Sequence, residues 1–164
     1  MKDDKTNMAK ISVTEEDYTK FKKEKEDAIM KSFEGSGLDK SILTDDIKTK
    51  FKDDILKGLA TITYEVAPVS EEKDTAKVDV KIKAFDMEKI STDSQSKIIQ
   101  EATSNPNMTE KEIYAKSFNL VGEAMAAGTV KQDPKTVTMT LTKTDNVWVP
   151  DDKGIEEILE AIMS

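Results

Sequence analysis

The sequence predicts an α+β fold, a curved antiparallel sheet of about four strands packed by N-terminal, inserted and C-terminal helices. Three observations carry this. The apolar period changes from about four to two and back along the 164 residues, the order reads helices, hairpin, helical pair, hairpin, terminal helix, and no βαβ crossover interrupts it. Residues 1–12 are polar, charged and featureless, which suits a tether, and 13–164 then form a single domain.

The first helix begins at Thr14, a good N-cap followed by Glu15, Glu16 and Asp17, and places Tyr18, Phe21, Ala28, Ile29 and Phe33 on one stripe before Gly35. The second carries Leu43, Ile47, Phe51 and Ile55 four residues apart, with Gly58 placed to end it. The period then becomes two. Ile62, Tyr64 and Val66 face one way and Thr61, Thr63 and Glu65 the other, and after the short loop at 70–75 Val78, Val80, Ile82 and Ala84 alternate with lysines and Asp79. So short a loop joins antiparallel neighbours, with the apolar face of both strands on the core.

Helical spacing returns with Met87, Ile90, Ile98 and Ala102 behind a cap at Asp86 and ends at Asn105-Pro106. The next helix has the strongest start signal in the chain. Thr109 and Glu112 form a capping box, Met108 and Ile113 can staple it, and Gly128 closes it. Tyr114, Phe118, Val121 and Met125 share its inner face.

In the second hairpin Val137, Met139 and Leu141 point to the core, and Asp145-Asn146 make a two-residue turn because both tolerate positive φ. That register sets Lys143 opposite Trp148 and Leu141 opposite Pro150. It turns Trp148, the one tryptophan, inward as a core residue. Pro150 keeps the return strand short and at an edge or strand end. A terminal helix packs Ile155, Ile158, Leu159 and Ile162.

Composition narrows the chemistry. The chain has no cysteine and no histidine, and its 25 basic residues are all lysine. It therefore has no imidazole to serve a nucleophile or a metal, no thiolate, and no guanidinium fork for phosphate. A net charge of −8, with lysines interleaved among acids, excludes a nucleic-acid partner. No apolar run reaches the roughly 20 residues of a membrane span. Gly35–Ser41 lacks the glycine before Lys-Ser that a phosphate loop needs and reads as a helix-ending turn. The pairs Asp45-Asp46 and Asp151-Asp152 read as helix-start charge, and with Asp53-Asp54 they lack the spacing of a calcium loop; no metal or other cofactor is expected.

The segments "GLATITYEVAPV" and "AKVDVKIKAFD", with a final "VTMTLTKTDNVWVPDD" holding the tryptophan, resemble small cell-envelope lipoprotein domains of unknown function from low-GC Gram-positive bacteria. The resemblance covers most of residues 14–163 and implies an NTF2-like or cystatin-like sheet. It departs from the simplest such plan by the helical pair at about 87–127 between the hairpins. It implies an extracytoplasmic protein on the outer face of the cytoplasmic membrane, with the lipid-carrying cysteine just before Met1. Its cone-shaped pocket would be lined by Tyr64, Met139 and Trp148, with Tyr114 from a helix. The expected function is noncatalytic binding of a protein, peptide or small apolar ligand. The alternative is a small hydrolase or isomerase using that pocket, with Tyr64 as its polar group and an acid from a loop.

Overall fold

The computed structural model describes residues 14–34 and 42–164; the expected tether at 1–12 and the turn at Gly35–Ser41 lie outside them. Nine elements follow in chain order: α1 (Glu15–Glu34), α2 (Asp45–Leu59), β1 (Tyr64–Glu72), β2 (Thr75–Ile82), α3 (Met87–Ser104), α4 (Glu110–Ala126), β3 (Lys135–Thr144), β4 (Val147–Pro150) and α5 (Asp152–Ile162). They make two compact units, one from Thr14–Thr61 with Glu88–Thr129, the other from Ile62–Met87 with Val130–Ser164.

The helical unit is organised by α2 against α4. The rings of Phe51 and Phe118 meet edge to face at 5.5 Å, a favoured aromatic geometry. Close approach depends on Gly122, where a side chain would come within 2.9 Å of the Asp54 carboxylate and 3.0 Å of the Phe51 ring. Lys50 ties the pair at the surface, donating to Asp54 at 2.7 Å and to Glu123 at 3.3 Å; the Asp54 hydrogen bond chiefly holds its ammonium above the usual lysine pKa. Leu43, Ile90 and Met125 are buried here. α2 runs one residue past the expected stop at Gly58, which is buried inside the helix, and the Thr61 hydroxyl caps the end by donating to the Gly58 carbonyl at 2.7 Å.

In the other unit, the described residues form four antiparallel strands in the order β1-β2-β3-β4, with β1 and β4 as the edges among them. Val80 pairs with Val66 on one side and Val137 on the other, so the apolar residues of three strands share one face. α5 lies on that face, and Ala161 joins Val80, Ile82 and Val137 in a cluster flanked by Ile62, Val78, Ile158 and Ile162. Phe85, fully buried, donates its N–H to the Ile162 carbonyl at 3.0 Å and so joins the end of α5 to the end of β2.

Three expectations are corrected here. The sheet is open and uncurled rather than curved. β1 does not bury its alternating face, because every residue from Tyr64 to Glu72 is exposed. A helix about 10 Å across covers about two strands spaced near 4.8 Å, and α5 sits on β2 and β3, which leaves β1 bare. For the same reason Ile155 and Leu159 of α5 are exposed, while Ile158 and Ile162 pack as expected.

Candidate binding surface

Within the sheet unit the structure separates Tyr64 from Trp148, two of the residues assigned to a cone pocket. Tyr114 belongs to the helical unit and is 37% exposed, while Tyr64, Met139 and Trp148 belong to the sheet unit. Within the sheet, Tyr64 pairs with Ile82 at one end of one edge strand, and Trp148 pairs with Lys143 at the far end of the other. Lys135 and Lys143 mark those two ends of β3, eight residues or about 26 Å apart. Tyr64 and Trp148 therefore line no common pocket, and at 69% exposure Tyr64 is a surface residue. Met139 is half-buried, with its side chain against Gly154 at the start of α5.

Trp148 lies on the core face, as its register requires, but only half-buried and outside the cluster under α5. The turn before it is as expected, with Asp145 and Asn146 at φ 52° and 64°. The Lys143 ammonium stands 5.6 Å from the Trp148 ring centre, a cation–π distance. Trp148 is thus a covered end to the sheet rather than a central plug.

The largest apolar exposure described in the sheet unit lies at the other edge. Tyr64, Val66 and Val69 of β1 are each more than half exposed. The backbone phase of this edge follows from one hydrogen bond: Lys83 N–H donates to the Thr63 carbonyl at 3.1 Å, so Thr63, Glu65 and Ala67 turn their peptide groups toward β2. Tyr64, Val66 and Pro68 turn theirs to the open side. Pro68, which has no N–H, thus sits where no ladder bond is lost, and the register shift between Pro68 and Ser70 ends the regular edge there.

α5 and its C-cap residue Met163 contribute a second stripe. Ile155, Leu159 and Met163 recur every four residues and are 42%, 51% and 46% exposed. The helix starts against Met139 and ends beside Phe85, so it runs antiparallel to β3. With Ala161 and Ile158 turned to the sheet, its right-handed winding directs this stripe to the β1 side, where Ile62 already packs against the cluster. A legible signal existed in the sequence: the apolar residues of α5 span about half its circumference, more than one contact with a sheet can bury. Asp151 caps the helix by accepting from the Gly154 N–H at 3.0 Å, so the Asp151-Asp152 pair serves the helix start.

A separate cleft of about 590 Å³ opens in the helical unit between α3 and α4, lined by Gln100, Ser104, Asn105, Met108 and Asn119. Its charged groups are engaged locally. Lys116 pairs with Glu101 at 3.2 Å, and the Glu112 carboxylate accepts from the Thr109 N–H at 2.8 Å. That backbone bond, more than the Thr109 hydroxyl, holds the Glu112 pKa below the usual glutamate value.

Residues 2–163 match the family described as Domain of unknown function (DUF5105). The chain belongs to this family. No curated protein matches it. As a DUF5105 domain it shares its fold with the crystal structure of a candidate lipoprotein of Bacillus subtilis, YcdA, at a TM-score of 0.75 and 20% identity. The match covers 98% of this chain and 51% of YcdA, so the chain spans about half the length of that protein. No helix among the described residues is long and apolar enough to cross a membrane.

Proposed function

We propose that this DUF5105 domain is a noncatalytic, extracytoplasmic module, carried on a lipid anchor at the face of the cytoplasmic membrane, that binds a protein, peptide or small apolar ligand. The observation that carries the binding half is the uncovered apolar edge: large side chains on β1 and α5 stay in water although a packed core lies on the same face. The anchor half draws on the lipoprotein description of YcdA, a protein of the same fold. The Gram-positive setting and the place of the cysteine rest on the resemblance of the hairpin segments.

The test begins with the gene. A hydrophobic segment ending in a lipid-modifiable cysteine, upstream of the Met1 codon, is expected. The full-length product should then take up a labelled fatty acid and fractionate with membranes, and replacing that cysteine by alanine should release it. A native cytosolic start at Met1 would sink the envelope assignment.

A further inference from the structure

Resting on that reading of a binding module, we infer that the free edge of β1 from Tyr64 to Ala67, with the Ile155–Leu159–Met163 stripe of α5 beside it, captures an extended, basic polypeptide segment as a fifth strand.

Three features select this occupant. First, the edge is unguarded where it is regular. Sheets commonly block their edges with lysine, proline or a bulge. Here β1 has no lysine, and its proline and register shift come only from Pro68 onward, so among the described residues the peptide groups of Tyr64 and Val66 stay open. A docked strand can pair along this short stretch and no further, which admits a peptide and discourages a continuing stack. Second, the side chains continue the pattern. A strand beside β1 would set alternate residues level with Tyr64 and Val66, on the face to which α5 turns Leu159 and Met163. Apolar residues suit those positions.

Third, charge separates the candidates. β1 and α5 together carry seven acids, Glu65, Glu71, Glu72, Asp152, Glu156, Glu157 and Glu160, against a single lysine, Lys153, which pairs with Glu157 at 3.3 Å. Asp152, Glu156 and Glu160 are exposed and follow the Ile155–Leu159–Met163 stripe on its solvent side. On the opposite sheet face Lys81 stands beside Glu65 and balances part of the charge there. A second copy would set acid against acid between chains of net charge −8. A segment alternating apolar and basic residues answers both the stripe and its acidic border.

The probe is a capped seven-residue peptide alternating lysine and valine, titrated onto the chain at low and high salt. Controls are the same peptide with glutamate for lysine, and one N-methylated at alternate amides so that one edge cannot donate. The expected result is saturable binding by the lysine peptide, weakened by salt, and weaker by about tenfold or more for either control. Val66→Pro removes an outward N–H and no ladder bond to β2, so it should fold as the parent does and lose binding by a similar factor. Leu159→Glu tests the stripe in the same way.

Equal binding of the N-methylated peptide, or an unchanged affinity in Val66→Pro, would overturn strand addition. A concentration-dependent dimer in sedimentation that Val66→Pro abolishes would give the edge to a second copy instead and overturn the peptide assignment. These outcomes stand apart from the anchor test: a lipidated protein that ignores all three peptides retains the general reading and loses this one.

Discussion

Trp148 shows how far a single residue could be read in advance. Its face and its partner followed from the pleat and from Asp145-Asn146, whose positive φ angles fit the two-residue turn. Its depth did not follow, since depth depends on where α5 lies, and no spacing in β4 encodes that. Half-buried under Lys143, Trp148 should matter less than a fully enclosed aromatic. Trp148→Ala is expected to cost about 1–3 kcal/mol in chemical denaturation, below the roughly 3–5 kcal/mol of a full cavity. Acrylamide should quench its emission partially, and more efficiently after Lys143→Ala. Gly128 is the opposite case, since its conformation was legible as a helix end. At φ 76° any side chain is strained, and a Cβ would also stand 3.0 Å from the Thr61 hydroxyl oxygen. Gly128→Ala should therefore lower the melting temperature, by a stability loss exceeding about 1 kcal/mol.

Among elements, α4 was the most legible because its start is written in four residues, and the structure forms both halves of the Thr109–Glu112 box. Thr109→Ala should cost about 1 kcal/mol, read as a drop in melting temperature. The box also makes a pH-dependent contribution of definite sign. The Glu112 pKa is lowered in the folded chain, so its stabilisation is present above the ordinary glutamate pKa and is lost as pH falls through the lowered value. Glu112→Gln should melt below the parent at neutral pH, and the two curves should converge in acid once the parent carboxyl is protonated. β1 was the least legible element. Its alternation of Ile62, Tyr64 and Val66 is that of a half-buried strand, and only Ile62 finds the core. Alternation reports which residues share a face, while burial needs a partner layer, and α5 is wide enough to cover only β2 and β3. For Tyr64 and Trp148 a shared pocket fails on the register, which sets them at opposite ends of the sheet on its two edge strands.

At the scale of the molecule, the α+β class and the order of elements were open to reading because each period change lies within one segment. The division into two compact units was not, since the chain passes from one to the other at Thr61, Met87 and Thr129 and neither unit is a continuous stretch. The sheet unit draws its closing residues from α5, Ala161 against Val80 and Ile82, and the Ile162 carbonyl against Phe85. A chain stopped after Asp151 should expose that face, bind a hydrophobic dye and lose cooperative melting, whereas Phe85→Ala in the full chain should cost about 3–5 kcal/mol. The placement of α5 also sets a clock on the ribosome. β2 leaves the tunnel long before β3, its neighbour, and neither has a cover until α5 follows. A nascent chain therefore carries this sheet face bare over the stretch of synthesis that separates β3 from α5.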